Sequence, residues 1–247
     1  MLLSVTDLSK HFGGVRAVDN VTWSIDAAET RCIIGPNGAG KSTFFQLLVG
    51  RHVSDAGSIV FQGHDITRAH PFERSRRGIA VKPQTLGVFG ELTVKHNLLL
   101  PLQRLYGGTN LEDQAAAAME KLSLSAKRGF LAKELSHGER QWLGIGMAMA
   151  SEPALLLLDE PTAGMSPAET QRTVNMIKEI GGRGTSVLVV EHDMAFVREL
   201  DVPTTVFHQG RLFVSGDISE IERNEEVQRL YLGNHGAARL RSTKETN

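Results

Sequence analysis

Hydrophobic and polar residues alternate near the start of the chain. Val21, Trp23 and Ile25 are apolar, and the residues between them are polar. A period of two is typical of a β-strand with one face on the core and the other toward water. We therefore predict that residues 2–5 and 21–25 form antiparallel strands.

A short apolar run without alternation follows at residues 32–34. Such a run predicts a strand that is covered on both faces. It ends in the glycine-containing segment 35–38, after which apolar residues recur at positions 44, 47 and 48, the spacing of a helix face. Gly50 stands where a helix ends. The pattern predicts a strand, a glycine-rich loop and a helix in succession.

Helical spacing dominates the middle of the chain, around residues 115–119 and over 139–150, where Trp142, Ile145 and Met149 mark one face. Two apolar runs, 155–158 and 187–190, predict buried strands. The helix between them begins at Ser166 as N-cap, with Pro167 at N1 and Glu169 at N3. Strands that alternate with helices predict an α/β fold with a mainly parallel sheet.

The elements predict one domain over residues 1–234, with the antiparallel strands as a β subdomain and an α-helical subdomain inserted at about 86–152. Residues 235–247 are polar and predict a disordered tail.

Composition excludes several classes of protein. The 247 residues carry 27 Lys plus Arg against 28 Asp plus Glu, a net charge of −1, so we expect no nucleic-acid partner. Cys32 is the single cysteine, which excludes an internal disulfide. No apolar run approaches the roughly 18 residues that cross a bilayer, and a secretory signal pattern is missing. We expect a soluble protein of a reducing cytoplasm.

The segment 35–42 matches the phosphate-binding pattern G-x-x-x-x-G-K-[ST], and it lies between a predicted strand and a predicted helix, the context that the pattern requires. Glycines let successive backbone N–H groups point at a phosphate, and the helix N-terminus adds positive charge. Lys41 is predicted to neutralise the β and γ phosphates, and Ser42 to bind Mg²⁺. The predicted nucleotide-binding residues of the loop are Gly35, Pro36, Asn37, Gly38, Ala39, Gly40, Lys41, Ser42 and Thr43. The fold class is therefore that of a P-loop NTPase with a RecA-like core.

Two carboxylates follow the predicted strand 155–158 at the edge where ligands of open α/β sheets bind. Asp159 is predicted to hold Mg²⁺, and Glu160 to act as general base toward the attacking water. On the residues alone, a strand ending in acidic turn residues is the alternative.

Ser136 and Glu139 form a capping box, which by itself is only a helix start. Together with Leu135 and Gly138, however, they follow the Leu-Ser-Gly-Gly-Gln signature of one ATPase family, between the phosphate loop and the acidic strand. The chain resembles the ATP-binding subunits of ABC transporters over nearly its whole length.

The resemblance implies further roles. Phe12 corresponds to the aromatic residue that stacks on adenine, and Gln84 to the Gln that contacts Mg²⁺ and the attacking water. Ser136, Gly138 and Glu139 correspond to the signature that binds the γ-phosphate of a nucleotide held by a second subunit, and residues 163–166 to the interface D-loop. His192 corresponds to the histidine that contacts the γ-phosphate. The resemblance thus implies ATP and Mg²⁺ as cofactors and a catalytic set of Lys41, Gln84, Glu160 and His192.

Two signature positions depart from the family pattern. His137 replaces Gly and Glu139 replaces Gln. A carboxylate near a γ-phosphate is unfavourable, so we expect Glu139 to fold back onto the Ser136 N–H.

Within the family, segments such as 12–18, 86–94 and 191–194 look most like ATPases of branched-chain amino acid importers. Importers of urea or short amides, of the same branch, and exporters of lipid or polysaccharide are the alternatives. The resemblance implies transmembrane permease subunits, a second identical or sibling ATPase subunit, indirectly a solute-binding protein, and a place on the inner face of the cell membrane.

Other functions fit less well. A ribosome- or DNA-directed ABC ATPase needs two tandem ATPase domains or long coiled-coil insertions, and the guanine-reading Asn-Lys-x-Asp motif of a GTPase is missing. Arg74, Arg76 and Arg77 are expected to form a solvated helix end. His64, His70 and His208 lack metal-ligand spacing and are assigned to surface or loops.

Overall fold

The computed structural model describes residues 1–84, 87–106 and 110–232. The strands are β1 Leu3–Phe12, β2 Val15–Ile25, β3 Thr30–Ile34, β4 Ala56–Phe61, β5 His64–Asp65, β6 Ile79–Lys82, β7 Leu155–Asp159, β8 Ser186–Val190, β9 Thr204–His208 and β10 Arg211–Gly216. The α-helices are α1 Lys41–Val49, α2 Pro71–Arg76, α3 Val94–Tyr106, α4 Leu111–Lys121, α5 His137–Met149, α6 Pro167–Gly182, α7 Met194–Leu200, α8 Ile218–Arg223 and α9 Glu225–Leu232.

The larger sheet has the order β10-β9-β3-β8-β7-β6, and all its pairs are parallel except β9 with β10. Every residue of β7 and β8 is buried, which explains why neither strand alternates. The predicted α/β class with a mainly parallel sheet is confirmed. Because parallel strands end at one edge, the loops after β3, β6, β7 and β8 meet there.

The smaller sheet is antiparallel, in the order β2-β1-β4-β5. It contains both predicted amino-terminal strands, but β1 continues to Phe12 and β2 begins at Val15. The predicted strands are too short because β1 is irregular. Asp7 has φ 50°, and the pairing shifts register after Val5, so the alternation that marks a strand is interrupted.

Apolar clusters cover both faces of the larger sheet. One joins it to α1 and the smaller sheet, and the other packs α6 and α7 on its opposite face. Helices α3, α4 and α5 contribute to a third cluster that contains Leu98, Met119 and Leu143. The insertion boundaries of about 86–152 and the domain limits stay a prediction, and residues 235–247 lie outside the described residues.

The expectation of a solvated basic helix end is wrong for Arg74. Arg76 and Arg77 are exposed, but Arg74 is 1% exposed. Its guanidinium donates to the carbonyl oxygens of Leu47 at 2.7 Å and Leu48 at 2.8 Å, at the end of α1. Arg74 therefore provides donors for helix carbonyls that have no partner within α1.

The fold also places the three histidines without metal-ligand spacing and bears on the search for a membrane-spanning helix. His64 and His70 are exposed and His208 is partly buried, and no cluster of metal-ligating side chains forms among residues 1–84, 87–106 and 110–232. Across the same residues, no helix combines the length and apolar character of a membrane span.

Candidate nucleotide site

The loop between β3 and α1 is shaped by contacts that leave no room for side chains. Gly40, the N-cap of α1, has φ 103°, and a Cβ placed there would lie 2.2 Å from the carbonyl oxygen of Ala17 on β2. A Cβ on Gly35 would lie 2.3 Å from the carbonyl oxygen of Phe207 on β9. Both positions therefore require glycine, and the loop is pressed against the ends of two strands.

The charged group of this loop lies inside it. Lys41 is buried, and its Nζ donates to the carbonyl oxygens of Gly35 at 2.6 Å and Pro36 at 3.1 Å. Burial lowers the pKa of Lys41, and the carboxylates Glu160 and Asp159 oppose that shift. The neighbouring Ser42 is exposed at the start of α1. The ammonium is thus held inside the loop by two of its carbonyl oxygens, on the first residue of α1.

The two predicted carboxylates occupy different surroundings at the end of β7. Asp159 is 7% exposed, and burial together with the charge of Glu160 raises its pKa to about 6. Glu160 has φ 45°, and its N–H donates to the carbonyl oxygen of Val190 on β8 at 2.9 Å. This backbone turn directs the Glu160 side chain toward the loops after β6 and β8.

Three predicted catalytic residues meet at Glu160. Gln84 Nε2 donates to Glu160 Oε2 at 2.7 Å, and His192 Nδ1 lies 3.2 Å from Glu160 Oε1. These residues come from the loops after β6, β7 and β8, and Lys41 is close enough for its pKa to respond to Glu160. A base held between a Gln and a His is suited to orient and deprotonate a water molecule.

Sequence reasoning missed the role of Glu191 next to this group. Glu191 is 1% exposed and accepts hydrogen bonds from Thr162 Oγ1 at 2.7 Å and from Thr162 N at 3.2 Å. It therefore fixes the segment after Glu160 to the end of β8. Its place beside the predicted His192 was the only signal in the sequence.

The predicted signature begins α5 as the capping box requires. Ser136 Oγ accepts from the N–H of Glu139 at 3.2 Å, and Glu139 Oε2 accepts from the N–H of Ser136 at 2.9 Å. The expected folding back of Glu139 is thus confirmed. Lys127 Nζ adds an ion pair at 2.7 Å, which the sequence did not reveal. Burial opposes ionisation, but the bonds from Lys127 and Ser136 hold the pKa of Glu139 below its usual value.

His137, the other unusual signature residue, contacts the predicted D-loop of the same chain. Its Nε2 lies 2.8 Å from the carbonyl oxygen of Ala163, to which an Nε2–H can donate. The end of the Gln141 side chain lies 3.2 Å from the same nitrogen, which cannot accept a hydrogen bond from it while donating to Ala163. Ser136 Oγ also lies 3.4 Å from Glu169 Oε1 at the start of α6. The start of α5 is therefore tied to residues 163–169 by side chains.

Phe12 lies at the end of β1 and is 45% exposed, so it is not a core residue. Its ring is edge-on to His52, with centroids 5.2 Å apart, and Lys10 Nζ lies 5.5 Å from its centroid. An exposed aromatic face is available for stacking. Its predicted contact with adenine stays a prediction.

The residues present fit a magnesium nucleotide. Gly35 and Gly40 leave no room for a Cβ, and Lys41 and the start of α1 supply positive charge. The Ser42 hydroxyl and the Asp159 carboxylate are oxygen ligands of the kind that Mg²⁺ prefers. This loop, at the carboxyl edge of a mainly parallel sheet, defines a P-loop NTPase.

The family follows from the comparison with known proteins. The ABC transporter family matches residues 18–163, and the chain belongs to this family. It is an ATPase that binds ATP with Mg²⁺, and the ATPase subunit of a transporter. Subunits of this kind dimerise and work with transmembrane permease subunits.

Individual relatives differ in the solute that they serve. The lipopolysaccharide export system ATP-binding protein LptB of Escherichia coli (strain K12) is 34% identical and covers 94% of this chain and 97% of its own. The high-affinity branched-chain amino acid transport ATP-binding protein LivG of Salmonella typhimurium (strain LT2) is 32% identical, covering 94% and 98%. An ATP-binding cassette of an ABC transporter in its ADP conformation superposes with a TM-score of 0.84 at 29% identity, covering 94% and 98%.

Proposed function

We propose that this chain is the ATP-hydrolysing motor of an importer for branched-chain amino acids, with Glu160 as the general base. The observation that supports the catalytic assignment is the meeting of Gln84 and His192 at the Glu160 carboxylate, beside the loop that carries Lys41. These residues are up to 151 positions apart in the chain, 192 minus 41, and only folding brings them together.

The proposed roles follow from the contacts. Glu160 accepts the proton of the attacking water, while Gln84 and His192 fix the carboxylate and orient that water. Lys41 leaves its loop carbonyls to pair with the β and γ phosphates. Ser42, Asp159 and Gln84 would hold Mg²⁺, which supplies charge neutralisation at the β and γ phosphates. Phe12 provides the surface for adenine.

Two copies are needed for a complete site. Each chain carries one phosphate loop and one signature, and we propose that Ser136, Gly138 and Glu139 of one copy approach the γ-phosphate held by the other. The exposed Ser136 at the N-cap of α5 supports this role, because a helix N-terminus attracts phosphate. A homodimer and a pair with a sibling subunit both satisfy the geometry.

Glu160→Gln tests the catalytic assignment. The amide keeps the side chain's shape but cannot accept the proton, so we expect at least about a hundredfold loss of turnover and an ATP-bound dimer visible by size exclusion. Glu120→Gln changes an exposed carboxylate of α4, outside the proposed site, and should behave as wild type. Wild-type hydrolysis by Glu160→Gln, with no dimer, would contradict the assignment.

The solute is the finer part of the proposal. The sequence resemblance and LivG support branched-chain amino acids, with urea or short amides as members of the same branch. LptB, at a similar identity, favours a second candidate, the export of a lipopolysaccharide. In the import case, permeases place the chain on the inner face of the cell membrane, and a solute-binding protein acts from the other side.

The two candidates separate by reconstitution. The tagged chain is purified from membranes with its permease subunits and placed in liposomes, and ATP hydrolysis is measured with amino-acid-loaded binding protein or with lipopolysaccharide. We expect stimulation by a branched-chain amino acid with its binding protein. Stimulation by lipopolysaccharide alone would replace the import assignment.

A further inference from the structure

The first residue of α5 connects the signature to the segment that follows the proposed base. His137 is exposed, and its Nε2 lies 2.8 Å from the carbonyl oxygen of Ala163, to which an Nε2–H can donate. The ring also lies against the backbone of Gly164, since a Cβ placed there would be 3.5 Å from Nε2 and 3.6 Å from Cδ2. One imidazole therefore provides both a hydrogen bond and a packing contact between α5 and residues 163–164.

The chain between Ala163 and Glu160 is short and constrained. Pro161 and Thr162 are buried, and the proline ring fixes its own φ. The N–H of Ala163 donates to the carbonyl oxygen of Glu160 at 3.4 Å, which closes the turn. A displacement of Ala163 is therefore passed on to Glu160, because only two constrained residues separate them.

Glu160 is thus held from two sides. On the β8 side, its N–H donates to the carbonyl oxygen of Val190 at 2.9 Å, and Thr162 binds the buried Glu191 carboxylate. On the α5 side, the contact comes from His137. Glu160 has φ 45°, a conformation that a residue with a side chain keeps only where its surroundings hold it. The two anchors together provide such surroundings.

A second contact holds the start of α5 to the same region. Glu169 of α6 accepts, through Oε2, from the N–H of Ser166 at 2.9 Å and from its hydroxyl at 2.8 Å. Its other oxygen, Oε1, lies 3.4 Å from Ser136 Oγ and would lie 2.4 Å from a Cβ on Gly138. The signature therefore keeps a neighbour on α6 when the contact of His137 is removed.

We propose that His137 is a positioning residue that couples the signature to the general base of the same chain through Ala163. The proposal rests on the function assigned to Glu160 and to the signature. In the proposed dimer, the signature of one chain serves the nucleotide of its partner, whereas Glu160 serves the nucleotide of its own chain. The contact between His137 and Ala163 therefore lets the γ-phosphate at one site influence the position of the base at the other.

Removal of the hydrogen bond and a conservative rescue test the coupling. His137→Leu cannot donate, whereas His137→Gln carries an amide N–H at a similar distance from the backbone. His64→Leu, which changes an exposed histidine of β5, is the matched control. In the complex with permease subunits, we expect His137→Leu to lower kcat at least about fivefold with the KM for ATP within about twofold, and His137→Gln to recover most of the kcat.

Dimer formation separates this coupling from a loss of the signature itself. In a Glu160→Gln background, size exclusion gives the ATP concentration at which half of the chain is dimeric. We expect His137→Leu to leave that concentration within about twofold, because Ser136 and the helix N-terminus remain available to phosphate. The melting temperature should change by less than about 2 °C, because the altered side chain is exposed.

Three results would overturn the coupling: a His137→Leu kcat equal to that of His64→Leu, no recovery of kcat in His137→Gln, or a half-dimer concentration or melting temperature that changes in step with kcat. Glu160→Gln keeps this inference distinguishable from the proposed function. If Glu160→Gln is inactive and forms the dimer while His137→Leu turns over normally, only the His137 inference fails. If Glu160→Gln hydrolyses ATP normally, the catalytic assignment fails, whatever the His137 variants show.

Discussion

The phosphate loop and the signature segment are the two halves of the proposed ATP site, and different contacts hold them. At the loop, Gly35 and Gly40 press backbone against the carbonyl oxygens of Phe207 and Ala17. At the signature, Ser136 and Glu139 bond to each other's backbone N–H. The Glu139 carboxylate also pairs with Lys127, and the His137 ring contacts the carbonyl oxygen of Ala163. The loop is therefore held closely against backbone atoms, whereas the signature is held by side chains, including that of Glu169, whose carboxylate oxygen would lie 2.4 Å from a Cβ on Gly138.

The difference explains where the unusual residues stand. A steric contact accepts no added atom, and the loop keeps the full phosphate-binding pattern. A position held by polar contacts can accept a different residue when that residue makes a polar contact of its own. Both signature departures do so, since Glu139 pairs with Lys127 and His137 contacts Ala163. The two halves should thus respond differently to small substitutions.

Gly40→Ala should give the largest effect. The new Cβ meets a backbone oxygen at 2.2 Å, and the φ of 103° is strained for any other residue. We expect a loss of stability of more than about 3 kcal/mol and no measurable nucleotide binding. Urea unfolding and a fluorescent ATP analogue measure the two.

Gly38→Ala is the matched control in the same loop. Nothing lies within 4 Å of a Cβ there, so only its φ of 77° opposes the substitution, at about 1–2 kcal/mol. Equal effects of the two variants would show that torsion, rather than steric contact, holds the loop.

Arg74→Leu should rank second. It leaves the carbonyl oxygen of Leu48 without its donor and that of Leu47 with only the Gly50 N–H at 3.2 Å, for which we expect a loss of about 2–4 kcal/mol. Arg77→Leu, at an exposed position, should change stability by less than about 0.5 kcal/mol. A thermal melt that does not separate the two variants would contradict the anchoring role of Arg74.

Glu139→Gln tests the signature half and should have the smallest effect, about 1 kcal/mol near neutral pH. The native pKa of Glu139 lies below its ordinary value of 4.5, so its charge contributes stability above that pH and loses the contribution as the pH falls through the native value. Urea unfolding at several pH values should therefore show wild type and variant converging in acid. A constant difference would mean that the ion pair with Lys127 contributes nothing.

Local patterns predicted most of the fold. The phosphate loop, the buried strands β7 and β8 and the caps at Ser136 and Ser166 depend on neighbouring residues, so the sequence contains their signal. The length of β1 was missed because Asp7 interrupts the alternation. The meeting of Gln84, Glu160 and His192 came from resemblance, since spacing alone does not join three separate loops.

The residues that the sequence did not reveal have distant partners. Arg74 bonds to carbonyls 26 and 27 positions away, and within its basic run nothing marks it as buried. Lys82 follows three residues of an apolar strand and is 2% exposed, and nothing in that short run marks a lysine as buried. Burial of a charge is set by the three-dimensional arrangement, and one sequence gives little sign of it.

The carbonyl oxygens that bind Lys41 within its own loop compete with a nucleotide phosphate for the same ammonium group. Before Lys41 reaches a phosphate, it must leave two neutral carbonyl oxygens, those of Gly35 and Pro36. Charged phosphate oxygens bind an ammonium about twice as strongly as neutral acceptors, so a β-phosphate can win this exchange. Because Lys41 is assigned to the β and γ phosphates, a mononucleotide presents neither acceptor, and we expect affinity to rise with the length of the phosphate chain.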